Sequence, residues 1–138
     1  MHNDVPEDGE ALSFTAWRVR DNAMAVRTKV GAAVLARREN GSHAIFGGCN
    51  IEDLWKASSI HAERTAIACM VAGGCKRIEK ILVAAERERF TPCGNCMDFL
   101  MQFGGAEMLI GFQSRPFYEV QVFAAAELMP HYPFKAPH

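Results

Sequence analysis

A chain of 138 residues, 49% hydrophobic and 22% charged, is long enough for one compact domain that buries about two thirds of its unfolded surface. This composition excludes a disordered chain and a mini-protein held only by disulfides. A net charge of −1 is unlike the strongly basic balance of proteins that grip a nucleic-acid backbone. The apolar runs, such as Val30 to Ala36 and Ala66 to Cys75, fall far short of the roughly 18 residues that span a bilayer.

In chain order, Glu10 to Met24 is expected to be helical, with Leu12, Trp17, Val19 and Met24 only roughly periodic. Val30 to Ala36 reads as a buried strand. Asn40-Gly41 is a strong turn dipeptide, because both residues tolerate positive φ, and His43 to Asn50 returns as the second strand of a hairpin. Asp53 to Ser59 is a polar loop. His61 to Ala72 is a helix ended by Gly73-Gly74. Lys80 to Ala85 is a third strand, buried on both faces, and Glu86 to Phe90 is a charged loop. Thr91-Pro92 is a helix start, since threonine caps and proline lacks only an N–H that has no partner there. That helix runs to Phe103 and stops at Gly104-Gly105. Met108 to Phe112 and Glu119 to Phe123 are two more strands, followed by a short helix from Ala124 and a tail broken by Pro130, Pro133 and Pro137. This succession predicts an α/β fold: three layers, α/β/α, around a mixed five-stranded sheet. It predicts a single domain over 1–138, with a core of about 10–130 and a tail of 131–138.

The five cysteines are an odd number. The N-terminus is polar and acidic (Asn3, Asp4, Glu7, Asp8, Glu10) without a secretory pattern. Together these predict a cytoplasmic protein with free thiols rather than a disulfide framework. Cys49, Cys69 and Cys75 sit among apolar residues and are expected to be small buried hydrophobes. Met97 and Met101 are expected in the core.

Two helix starts carry chemistry: His61-Ala62-Glu63 and Pro92-Cys93-Gly94-Asn95-Cys96. Cys93 and Cys96 are three apart, so on a first helical turn their sulfurs lie on one side, where backbone N–H groups and the helix dipole stabilise thiolates. Two thiolates and a neutral imidazole make three ligands for Zn²⁺ and leave the fourth position open, the pattern of a catalytic site. His61 and Glu63 are two apart and would face opposite ways inside a helix. Both reach one site only if the helix begins close to His61 and points its N-terminus at the metal. Taken alone, Cys93 and Cys96 also suit a thiol–disulfide oxidoreductase, and a structural zinc in a binding protein would leave Glu63 without a task. The combination H-x-E with P-C-x-x-C is a signature of zinc deaminases that act on nucleobases.

The resemblance extends beyond that motif. Phe46-Gly47-Gly48-Cys49-Asn50-Ile51-Glu52 through His61-Ala62-Glu63-Arg64-Thr65-Ala66-Ile67 resembles the cytidine deaminase family, and Val30-Gly31-Ala32-Ala33-Val34, Pro92-Cys93-Gly94-x-Cys96 and Glu127-Leu128-Met129-Pro130 continue the similarity over roughly residues 25 to 134. The resemblance implies His61, Cys93 and Cys96 as zinc ligands and Glu63 as a proton shuttle that is not a ligand. It implies Asn50 and Glu52 on the sugar hydroxyls, the backbone of Ala62 and Cys93 against the base, and Arg64 beside the thiolates. The implied reaction is hydrolytic deamination of cytidine, deoxycytidine or a related aminopyrimidine nucleoside, in pyrimidine salvage. The implied assembly is a homotetramer or homodimer, with Tyr132-Pro133-Phe134 reaching a neighbouring site; a free tail is the other reading of that segment. No membrane or polynucleotide partner is expected.

The chain departs from the family at the pocket wall. A Tyr-Ser-Lys-Phe-Pro-like stretch before the first strand is replaced by Val26-Arg27-Thr28-Lys29, without an aromatic. An Asn-Ala-Ser-Tyr-like run is replaced by Asp53-Leu54-Trp55-Lys56, and Met97 stands where an arginine is common. Trp55 is a candidate replacement for the lost stacking. These changes widen the substrate field to modified nucleosides, such as blasticidin-like ones, and to other aminated heterocycles.

Overall fold

The computed structural model describes residues 6–55, 57–88 and 90–133; Asn3, Asp4, Lys56, Phe134 and Pro137 lie outside them. Helix α1 (Pro6–Arg20) precedes a hairpin of β1 (Val30–Arg37) and β2 (His43–Cys49). Then follow α2 (Ala62–Ala72), β3 (Arg77–Ala85), α3 (Gly94–Gly104), β4 (Leu109–Gln113), β5 (Gln121–Ala124) and α4 (Ala125–Leu128). The strands form one sheet in the order β2-β1-β3-β4-β5. Only β3 and β4 pair in parallel, joined through α3; the other pairs are antiparallel. The sheet is therefore mixed, as expected.

The central strands explain the three layers. Successive residues of a strand face opposite sides. From β1, Ala32, Val34 and Ala36 enter one core with Ile67, Met70 and Leu100 of α2 and α3, while Ala33 and Leu35 enter a second core with Leu12 and Ala16 of α1. From β3, Ile81 and Val83 join the first core, and Leu82 and Ala84 the second. A strand covered by helices on both faces reads as a continuous apolar run, which is why Val30–Ala36 and Ile81–Ala85 stand out in the sequence. Met97 and Met101 are buried in the first core, as expected.

Gly48 lets α2 approach the sheet. A Cβ there would run into the backbone of Thr65 and Ala66. This close approach sets α2, and with it His61 and Glu63, against β2.

Several expected boundaries move. Helix α1 ends at Arg20, not Met24, because the next N–H groups turn back on Arg18, Val19 and Arg20, and Met24 is drawn into a parallel bridge with Ile51. Strand β3 begins at Arg77, paired with Arg37 beyond a bulge between Leu35 and Ala36. Helix α3 begins at Gly94, with Cys93 rather than Thr91 as its extended cap residue. Cys75 is buried and Cys49 half-buried, but Cys69 is exposed on α2, so the small-hydrophobe reading fails for it. No helix of the described residues is long and apolar enough to cross a membrane.

Candidate metal centre and adjoining cleft

Past β2 the chain makes a loop closed at its base. Ile51 and Ile60 exchange both backbone hydrogen bonds, at 2.9 and 2.8 Å, which returns the chain beside Asn50 and starts α2 at once. Inside the loop, Asp53 Oδ1 accepts from the Ser58 N–H and the Ser59 hydroxyl. His61 is the extended cap residue of α2, and its carbonyl accepts the Thr65 N–H at 3.1 Å. Cys93 plays the same part for α3, its carbonyl accepting the Met97 N–H at 2.8 Å. Two helix N-termini thus face one point.

At that point His61 Nδ1 lies 3.4 Å from Cys93 Sγ and 3.4 Å from Cys96 Sγ. All three donor atoms lie within 4.8 Å of one another. A tetrahedral zinc, with Zn–N of 2.0–2.1 Å and Zn–S of 2.3 Å, separates nitrogen and sulfur by roughly 3.5 Å; the donor set fits. The electrostatics agree. Burial, then the charges of Glu63 and Cys93, push the Cys96 thiol up, with Arg64 opposing. A buried thiolate beside a carboxylate is costly without a cation to hold it.

Glu63, in the first turn of α2, is buried at 4% exposure. Its carboxyl is raised from the ordinary carboxylate value by burial, partly offset by its backbone hydrogen bond and by His61. A raised carboxyl suits a group that must both take and give a proton near neutral pH. The sequence demand is met: His61 stands just outside the helix and Glu63 just inside, so both reach the same region. Arg64 bridges the two helices, its Nη1 donating to Asn95 Oδ1 at 3.0 Å and its guanidinium lying 4.5 Å from the centre of the Phe99 ring.

A cleft of about 450 Å³ opens beside the cluster, lined by Asn50, Glu52, His61, Ala62, Glu63 and Cys93 among others. Cys96 is buried and does not line it, nor does Arg64. Asn50 lies just beyond β2 and is spent on its own backbone: Nδ2 donates to the Thr28 carbonyl and Oδ1 accepts the Val30 N–H, each at 2.9 Å. Glu52 Oε2 accepts the Val26 N–H at 3.2 Å.

The comparisons agree with this geometry. Residues 7–112 match the family described as the cytidine and deoxycytidylate deaminase zinc-binding region. This chain belongs to that family. It is 35% identical over 104 residues to a cytidine deaminase of Sporosarcina psychrophila, covering 73% of this chain and 74% of the relative. It is 39% identical over 83 residues to a probable cytidine deaminase of Dictyostelium discoideum, covering 59% and 54%. The crystal structure of cytidine deaminase from Burkholderia pseudomallei superposes with a TM-score of 0.74 at 29% identity, over 88% of this chain and 95% of that one. That from Mycobacterium leprae gives 0.74 at 26%, over 93% and 100%. The family is one of zinc-dependent hydrolytic deaminases, and Zn²⁺ is the cofactor the cluster fits. His61 closes the donor set with both sulfurs, so a zinc deaminase displaces the oxidoreductase reading of Cys93 and Cys96.

The deaminase cleft contains Arg27 and Thr28, from the segment expected at the pocket wall, and also Arg87, Phe90 and Thr91, which sequence reasoning did not place there. Phe90 is braced by Phe112, ring centroids 4.3 Å apart and edge-on. It brings an aromatic to the wall from the segment after β3, whereas the missing one was sought before β1. Trp55 does not line the cleft and is 86% exposed. Tyr132 is packed against its own chain's core, with its hydroxyl donating to Asp98 Oδ1 at 2.7 Å; the free-tail reading does not hold for it.

Proposed function

We propose that this protein deaminates an aminopyrimidine nucleoside of the cytidine or deoxycytidine type, taking up water and releasing ammonia. One observation carries the reading: His61 Nδ1 lies 3.4 Å from both sulfurs, in a cleft that Glu63 also lines.

In this reading His61, Cys93 and Cys96 hold Zn²⁺. The bound ion supplies Lewis acidity and hydroxide at neutral pH. Glu63 accepts a proton from the attacking water and passes it to ring N3, then takes the proton of the new C4 hydroxyl and delivers it to the amine, which leaves as ammonia as the C4 carbonyl forms. Its burial supports this role, because a water-poor setting keeps the proton on the carboxyl or the substrate. The backbone of Ala62 and Cys93 borders the base. Asn50 holds the Thr28–Val30 backbone that frames the cleft, and its place with Glu52 on one wall supports both as the sugar-side residues. Arg64 steadies the thiolates by its charge.

The same reading places the protein in pyrimidine salvage, in the cytoplasm, as one domain over 1–138. Its five cysteines, none of them in a disulfide, suit a reducing compartment. It is a homotetramer, or at least a homodimer: Met24, Ile51 and Ile60 are bridged side by side and exposed, with Leu54 at 92% and Trp55 at 86% close by in sequence. Contiguous exposed apolar residues mark association surfaces. Zinc-loaded protein is expected to release ammonia from cytidine or deoxycytidine, followed by loss of the aminopyrimidine absorbance. Absence of turnover on both, with zinc measured at one per chain, overturns the nucleoside assignment.

A further inference from the structure

The face of the sheet opposite the metal centre is covered unevenly. Helix α1 packs on β1, β2 and β3, leaving β4 and β5 beyond its edge. Successive residues of a strand alternate in direction, and the pairing of Leu82 with Gly111 and of Gly111 with Val122 puts all three on the α1 side. The chain after β4 then turns over them, so that Pro116, Phe117 and Tyr118 form a wall facing α1. Between that wall and the helix lies a cleft of about 930 Å³, a size that takes small organic molecules. Leu12, Trp17, Leu82, Val120 and Val122 give it an apolar interior. Gly111 deepens the floor, since a Cβ there would meet Leu82 and Val120 at 3.0 Å.

One polar side chain stands in that floor. Gln113 is only 3% exposed. Its Oε1 accepts from the Ser13 hydroxyl and from the Trp17 indole N–H, and its Nε2 donates to the Tyr118 carbonyl, each at 2.7 Å. An indole only donates and a carbonyl only accepts, so these partners fix which way the amide is turned. Gln113 thus ties both walls of the cleft. It has two N–H bonds on Nε2 and uses one; among the described residues the second has no acceptor. A buried donor without an acceptor is costly, and native structures rarely leave one. The charged residues lining the cleft cancel: Glu10 and Asp21 against Arg18 and Lys80. Outside it, Arg115 lies 5.8 Å from the centre of the Tyr118 ring, and Glu119 is the next residue. The site therefore favours no net charge on what it holds.

We propose that this cleft is a second ligand site, for an uncharged, flat aromatic or heteroaromatic molecule that carries a carbonyl oxygen. The carbonyl takes the second Gln113 N–H, and the ring lies beside Trp17 on the apolar floor. The site is separate from the metal centre. Gln113 follows Phe112 on β4, and the two leave opposite faces of the sheet: Phe112 braces Phe90 in the catalytic cleft, while Gln113 floors this one. The proposal stands independently of the deaminase reading.

The test uses zinc-loaded, full-length protein and propionyl-dimethylaminonaphthalene, an uncharged flat ketone whose emission moves to shorter wavelength in apolar surroundings. Saturable binding of about one molecule per chain is expected, read by that shift and by calorimetry. Dimethylaminonaphthalene, which lacks the carbonyl, should bind about fivefold more weakly, and anilinonaphthalene sulfonate, an anion, should also bind more weakly. Gln113→Glu keeps the two acceptor places and removes the N–H groups, so it should erase the preference for the ketone. Val120→Trp fills the cleft from a half-buried position and should weaken the ketone at least about tenfold. Thr28→Trp crowds the catalytic cleft and should leave the affinity unchanged. Absence of binding, equal affinity for ketone and hydrocarbon, tighter binding of the anion, or sensitivity to Thr28→Trp rather than Val120→Trp each overturns the proposal. So does a lower molar mass of Val120→Trp in light scattering, which would show that a second copy of the chain covers the cleft. Should Gln113→Glu fail to fold, Val120→Trp and the ketone-to-hydrocarbon ratio in the unmodified chain decide the matter.

Discussion

The floor and the mouth of the cleft are built differently. At the floor, His61 and Cys93 are the cap residues of two helices packed on the same face of the sheet, and Glu63 and Cys96 lie in their first turns. Their positions follow from rigid elements, and Glu63 and Cys96 are buried. At the mouth, Arg27, Arg87 and Phe90 come from the segments flanking β1 and β3, outside any helix or strand. Chemistry that tolerates little displacement is placed on regular elements. Selection among substrates is left to connecting segments, which vary more freely. Two enzymes can therefore share the floor and differ in what they accept.

Removing the metal tests the floor most severely. Chelation, or Cys96→Ser, should abolish turnover, and zinc should restore it only in the unmodified chain. Because the ion links two helix starts, its loss should also lower the melting temperature; a ligand at a hundredfold its Kd stabilises by about 2.7 kcal/mol. Unchanged melting on chelation would show that the floor is rigid without its ion. Glu63→Gln comes next. It keeps the shape and removes the proton transfer proposed for Glu63, so zinc content should hold while kcat falls by about 10²–10⁴-fold. Near-normal kcat would remove Glu63 from the chemistry.

Gly48→Ala asks whether the floor is set by the fold beneath it. The added methyl meets the backbone of Thr65 and Ala66, so α2 must shift. Overpacking of this kind costs about 1–3 kcal/mol, read in denaturant unfolding. Activity on every substrate should fall together, because His61 and Glu63 ride on α2. A fall in stability with kcat preserved would mean that the loop base at Ile51–Ile60 positions His61 independently of the helix.

The same division explains what was legible in the residues. The donor cluster was, because the two helix starts compress its members into a few positions: His61 at one, Cys93 with Cys96 at the other. The central strands were, because burial on both faces leaves an unbroken apolar run. The end of α1 was not, since Arg20 to Met24 is compatible with a helix, and only the long-range bridge of Met24 to Ile51 ends it. Nor was the start of α3, where Thr91-Pro92 looks like a cap but the chain stays extended through Cys93. Asn50 and Glu52 reach the cleft, yet their hydrogen bonds to the segment around Val26–Val30 are visible only once that segment is folded beside them. Arg87 and Phe90 carry no spacing signal, because only the pairing of Val30 with Ala85 brings their segment beside that of Arg27.

The smallest effect on the isolated chain is expected at the tip of the loop closed by Ile51 and Ile60. Leu54 and Trp55 touch neither core and do not line the cleft. Replacing both by serine should change the stability of the single chain by no more than about 0.5 kcal/mol, as for surface positions generally. In the proposed homotetramer the same residues are covered by a neighbouring copy, and there the double substitution acts strongly. Light scattering should show a lower molar mass, with the far-ultraviolet dichroism per residue unchanged. The kinetics then separate floor from mouth. If one chain completes its own cleft, the dissociated variant keeps its kcat. If kcat/KM falls while zinc content holds, part of the mouth belongs to the neighbour, and substrate choice is a property of the assembly rather than of the chain.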